Sequence, residues 1–250
     1  MKTIALYDFN WHGHHPTYLS LMSESLLRKG FRVVLFCRYP QEILTPLQSS
    51  DVSDRLSFIH SFCVRYPSGN GKVTTALFQS LLNWQQAVSD VCTFQRKTSW
   101  PIDLVLFLKV DDYCRGFIPI FYLNKAVKFR WAALLIHLDV LALAHKDLFK
   151  DKFTWVRHCL KAALNNFAIF NLPSCRFVAT LQEDCLAFLA QTIHKKIIIF
   201  PDITYEGEAG SSPLVANIKK AARGRKIIAL LGLLDRRKGV FTFLELAQRC

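Results

Sequence analysis

Short apolar runs alternate with longer amphipathic stretches along most of this chain, and no other feature restricts its fold as strongly. IALYDFN (4–10), FRVVLFC (31–37), LSFIHSF (56–62), IDLVLFLKV (102–110), WAALLIHLDV (131–140), FAIFNL (167–172), RFVATL (176–181) and KIIIFPD (196–202) read as strands. A strand with one face in water alternates apolar and polar residues; a nearly continuous apolar run is buried on both faces, as in a parallel sheet covered by helices. Helical patterns fill the crossovers at about 17–29 (closed by Gly30), 41–48, 72–96 and 153–165, with one more between the fourth and fifth runs. The expected fold class is therefore α/β, a doubly wound, Rossmann-like parallel sheet. Residues 204–213, rich in Gly, Glu and Ser, break the rhythm before a fresh strand begins at Lys226. This predicts a first domain over 1–203, a linker over 204–213, and the opening of a second, incomplete Rossmann-like domain over 214–250.

Composition narrows the partners. With 51% hydrophobic residues the chain can bury a core, which excludes a disordered segment. A formal net charge of +13 favours anionic partners: nucleotide phosphates, an acidic membrane surface or nucleic acid. No nucleic-acid motif accompanies the charge, and the aromatics lie inside the strand runs rather than among basic residues, so nucleic acid is not expected. The eight cysteines are scattered without a CxxC, which argues against zinc or a disulfide framework and for a reducing, cytoplasmic setting. The longest apolar run, 131–144, is interrupted by His137 and Asp139 and is too short for a bilayer span.

Four places could carry chemistry. The turn Trp11-His12-Gly13-His14-His15-Pro16 follows the first strand and opens the first helix, the edge where open α/β sheets bind ligands. Gly13 would allow close backbone approach, and the helix start would favour an anion or sugar oxygens. The plain alternative is a His-rich surface loop; a metal is disfavoured because the ligands would be contiguous, with no carboxylate or Cys in the turn. His137 and Asp139 near the end of the fifth run face one side by the strand period, as a cleft pair or as a satisfied core histidine. Asp111-Asp112 reads best as a helix N-cap, with a metal or general-base role as the alternative, and Glu183-Asp184 as acids that complement a helix dipole. Arg236-Arg237-Lys238 before Gly239 suits a diphosphate at a helix N-terminus, or is a solvated turn; its spacing is not that of a Walker loop. Lys219, Lys220, Arg223, Arg225 and Lys226 add a basic stretch able to meet an acidic membrane surface or simply to solubilise a helix.

LLGLLDRRKGVFTFLELA (230–247) resembles the segment that opens the second domain of the family-4 (group 1) glycosyltransferases. GHHPTYL, LLIHLDV, RFVATLQEDCLAFL and KIIIFPDIT resemble, in order, that family's Gly-rich loop, its His-Asp strand end, and the strand–helix–strand run closing its first domain. The resemblance implies a GT-B fold and metal-independent, retaining transfer of a hexosyl group from a nucleotide-diphosphate sugar to a hydroxyl acceptor, saccharide or lipid-linked, with no cofactor. It implies that Lys238, with Arg236 or Arg237, contacts the donor diphosphate. It further implies that Gly13 lines the cleft, that His137 contacts the donor sugar or reacting centre, and that His14 and His15 lie on the acceptor side. Two departures stand out: Leu233 occupies the place of the family's Arg, and Leu138 separates His137 from Asp139. Because the family's donor-binding acids would lie beyond residue 250, the expectation is a fragment of low activity. A non-catalytic acceptor- or partner-binding domain is the alternative.

Overall fold

The computed structural model describes residues 1–11, 13, 15–64, 73–116, 118–136, 151–163, 166–181, 183, 186–200, 217 and 220. The chain divides into two compact units, Met1–Ile203 and Thr204–Cys250. Of the second unit only residues 217 and 220 are described, both helical and exposed.

The first unit is a seven-stranded, wholly parallel sheet. Its strands are β1 (Thr3–Asp8), β2 (Arg32–Cys37), β3 (Ile59–Cys63), β4 (Leu104–Phe107), β5 (Trp131–Leu135), β6 (Cys175–Thr180) and β7 (Lys196–Ile199), in the order β3-β2-β1-β4-β5-β6-β7. Every neighbouring pair is parallel. The central strands are buried on both faces, which is why their sequences read as continuous apolar runs.

The two-residue strand period distributes those side chains between two cores. Ala5, Tyr7, Val34, Phe36, Val105, Phe107, Trp131 and Ala133 pack on one face with Trp84, Ala87, Val91 and Phe94 of helix α3 (Val73–Lys97). Leu6, Val33, Leu35, Cys37 and Leu134 pack on the other with Leu19, Met22 and Leu27 of α1 (His15–Arg28) and Ile43 and Leu47 of α2 (Pro40–Gln48). The first core is aromatic at its centre: the Trp84 ring lies 5.0 Å from Trp131, 5.1 Å from Phe107 and 5.3 Å from Tyr113. Its indole N–H is satisfied by the Tyr113 carbonyl at 2.8 Å.

Helix α1 ends as its sequence predicts. Gly30 takes a left-handed conformation (φ 77°), its N–H bonding the Leu27 carbonyl and that of Phe31 the Leu26 carbonyl, a Schellman closure. Three further helices complete the described layers: α4 (Ile120–Ala126), α5 (Lys152–Ala163) and α6 (Leu186–Thr192).

Two expectations need correction. FAIFNL is a 3-10 helix (Phe167–Asn171), not a strand: Asn166 caps it through the Ala168 N–H, and Phe167, Ile169 and Phe170 are buried. A short apolar run does not distinguish these states, and here the local cap prevails. Likewise the third strand begins at Ile59, because Ser53–Phe58 forms a 3-10 helix. Among the described residues no helix is long and apolar enough to cross a membrane.

Candidate functional site

The strand order reverses between β1 and β4, so the connections leaving their carboxyl ends go to opposite faces of the sheet, the point at which open α/β sheets take ligands in a crevice. Polar side chains converge there from both strands. Asp8, the last residue of β1, is 4% exposed. A charge so buried requires partners, and it has two: the Asn10 N–H at 2.8 Å on Oδ1 and His15 Nδ1 at 2.6 Å on Oδ2. An ionised carboxylate only accepts, so this contact places the ring proton on Nδ1 and leaves Nε2 as the basic atom of His15. His15 opens α1, and its side chain is 17% exposed.

Asn10 joins this pair to the β4 side. Its Nδ2 donates to Asp112 Oδ2 at 3.1 Å, and Lys109 Nζ lies 3.3 Å from the same oxygen. Lys109, Asp111 and Asp112 belong to the bend after β4, which runs into a 3-10 helix (Val110–Tyr113). Polar residues buried on α3 hold this bend: Asn83 Nδ2 and Ser80 Oγ both donate to the Asp112 carbonyl, at 2.7 and 3.0 Å, and Ser80 Oγ also accepts the Arg115 N–H. Asp111, buried, accepts the Ile136 N–H at 3.1 Å and so ties the bend to the end of β5. The acids are therefore not N-caps as expected; the cap position is Lys109, without a side-chain cap bond, and the carboxylates bond Ile136 just past β5 and Asn10 just past β1 instead.

Two thiols near this edge, Cys37 and Cys114, are buried and so disfavour the nucleophilic thiolate. Burial pushes Cys37, at the end of β2, up to about 12, and burial holds Cys114 well above the ordinary thiol range. Above the rim, Trp11 Nε1 donates to Glu42 at 3.0 Å and the Trp11 ring meets Tyr39 edge-on at 5.3 Å, fixing the turn against α2.

Of the residues singled out in the sequence, Gly13 and His15 are brought to this edge. Gly13 has a left-handed backbone (φ 67°), and a Cβ built there meets nothing within 4 Å, so the glycine is required by conformation rather than by crowding. His14, His137, Arg236, Arg237 and Lys238 lie outside the described residues. Among the described residues no group of three or more His, Cys, Asp or Glu is arranged to hold a metal ion. Sequence reasoning passed over Asp8, Asn10 and Lys109. The available signal was a carboxylate closing an otherwise apolar strand directly before a histidine turn.

No family model and no curated protein matches the sequence. Solved structures do. Arabidopsis thaliana UGT89C1 complexed with quercetin is similar at 12% identity and a TM-score of 0.51, over 90% of this chain and 56% of that one. The fold is Rossmann-like, of the GT-B type. A second structure of Arabidopsis thaliana UGT89C1 matches at 13% identity and a TM-score of 0.48, over 88% of this chain and 54% of that one. A UDP-glucose: anthocyanidin 3-O-glucosyltransferase in complex with UDP matches at 10% and 0.48, over 82% and 53%. This chain thus spans about half the length of these three structures. At such identities the likeness speaks to fold alone.

Proposed function

We propose that the chain forms the acceptor-side part of a glycosyltransferase that moves a hexosyl group from a nucleotide-diphosphate sugar to a hydroxyl acceptor without a metal. The observation that carries this reading is the Asp8–His15 pair at the β1/β4 crevice. A hydroxyl becomes a competent nucleophile when a positioned base takes its proton as the new bond forms. His15 Nε2 is that base, Asp8 fixes the ring and supports the imidazolium, and Asn10, Lys109 and Asp112 offer hydrogen bonds to sugar or acceptor hydroxyls. The resemblance to family 4 supplies the rest of the proposal. Residues 1–203 act as the acceptor domain, joined through 204–213 to a nucleotide-sugar lobe that begins at 214. In that lobe Arg236, Arg237 and Lys238 hold the departing diphosphate. His137 touches the donor sugar, Gly13 lines the cleft, and His14 stands on the acceptor side. Peripheral contact of the 219–226 cations with an acidic membrane belongs to the same reading.

The resemblance implies retention of anomeric configuration. The His15–Asp8 pair favours a second course, since direct displacement by a base-activated hydroxyl inverts the anomeric carbon. Product NMR from a transfer assay with UDP- and GDP-sugars and a panel of hydroxyl acceptors distinguishes the two. His15→Gln should lower transfer about 10²- to 10⁴-fold, the range for loss of a general base. Acceptor or partner binding with no detectable nucleotide-sugar binding, and with neither transfer nor donor hydrolysis, would reject the enzymatic reading and leave a non-catalytic binding domain.

A further inference from the structure

Helix α5 carries no acidic residue and turns an apolar stripe to solvent. The helix is well begun: Asp151 accepts the Thr154 N–H at 2.6 Å and the Thr154 hydroxyl at 2.8 Å, an N-cap of the ordinary kind. Three large apolar side chains then stand out, with Phe153 80%, Val156 39% and Leu160 63% exposed. Their spacing of three and four residues brings them onto one line along the helix. Lys152 and Arg157, both exposed, flank that line on opposite sides at helical periodicity. Thr154, Trp155 and Cys159, half-buried, form the inward side.

Singly exposed apolar residues are ordinary on a protein surface. A continuous stripe bordered by cations on both sides, in a chain of net charge +13, is a different arrangement. Three partly exposed side chains present less than half of the ~800 Å² that a stable protein interface takes from each partner. Insertion between lipid headgroups needs no wider surface, and long cationic side chains beside the stripe reach the phosphates while their stems stay apolar.

We propose that α5 is an interfacial helix that seats the protein on an anionic lipid surface. Phe153, Val156 and Leu160 enter the boundary between headgroups and acyl chains, and Lys152 and Arg157 meet the lipid phosphates. The test is cosedimentation of the full chain with vesicles of phosphatidylcholine alone or containing about one-third phosphatidylglycerol. Binding to the anionic vesicles should be at least about ten-fold stronger and should weaken in high salt. The Phe153→Ser/Leu160→Ser double variant should lose at least about ten-fold in partitioning, and Arg157→Glu about five-fold or more on anionic vesicles only. Because these side chains are exposed, thermal unfolding of the variants should match the wild type, separating lost binding from lost folding. No binding to anionic vesicles, or unchanged binding by the double variant, would overturn the proposal. So would a wild-type dimer that the double variant abolishes, with no lipid partitioning, since the stripe would then belong to a second copy.

Discussion

Tyr7→Phe removes a single atom from the centre of the sheet, and its cost should depend on pH in a way the structure specifies. Tyr7 is 1% exposed, and its ring lies 5.5 Å from Phe36 and 5.4 Å from Phe107. Phenylalanine keeps those contacts. What it loses is the hydroxyl, which donates to Asp90 Oδ2 at 2.7 Å, while Gln86 Nε2 supplies the carboxyl's other bond at 2.8 Å. Burial raises the Asp90 carboxyl above its ordinary range, and the bonds from Tyr7 and Gln86 partly oppose that rise. With a raised folded value, the folded state holds the proton where the unfolded chain has lost it, so this group's contribution to stability falls as pH climbs through that interval. Removing Tyr7's bond lifts the folded value further, so the variant should lose stability over a longer stretch of pH than the wild type. In acid the lost bond is neutral and costs about 0.5–1.5 kcal/mol; once Asp90 is ionised the lost bond is charge-assisted and costs about 1.5–3 kcal/mol. On the alkaline side the sign reverses. Burial first, then the Asp90 charge, holds the Tyr7 phenol far above its ordinary value. Beyond about pH 10 the unfolded wild type ionises this group and the folded wild type does not, a loss of about 1.4 kcal/mol per pH unit that Phe escapes. Urea unfolding of both proteins from about pH 4 to pH 11, with slopes compared at each pH, should give a stability difference that rises from acid to neutral and shrinks above about pH 10. A difference that stays flat across that range, or lies below about 0.5 kcal/mol at neutrality, would refute the account of a buried Tyr7–Asp90 bond.

Gly13→Ala should destabilise the protein by about 1–2 kcal/mol through its positive φ alone, since nothing crowds the position; thermal unfolding measures it, and Gly13→Asn should recover part of the loss. A thiol reagent at neutral pH should label exposed Cys63 quickly and leave Cys37 and Cys175, both raised to about 12 by burial, unlabelled until the protein unfolds. The same two thiols should make stability decline as pH rises from about 9 towards 12, because only the unfolded chain releases their protons there.

The histidine turn was legible in the sequence as the segment joining the first strand to the first helix, but its contacts were not. His15 finds its partner only because Asp8 closes β1 buried, and Asn10 spans to Asp112 across a separation of 102 residues. The bend after β4 shows the same gap. Two adjacent acids imply an N-cap locally, yet they sit inside the first turn, where Asp111 serves the Ile136 N–H and Asp112 serves Asn10 and Lys109. FAIFNL was ambiguous for another reason, since a six-residue, mostly apolar run carries no period long enough to choose between strand and 3-10 helix.

Read by itself, the amino-acid order determined the layered α/β class, the parallel character of the strands, and the closure of α1 at Gly30. Each of these depends on periodicity or on a single residue's backbone freedom, which neighbours in sequence settle among themselves. Tertiary structure alone decided which polar side chains meet at the β1/β4 crevice. Their partners come from segments far apart in the chain, brought together by the reversal of strand order, and a buried charge selects whichever distant donor the packing presents to it.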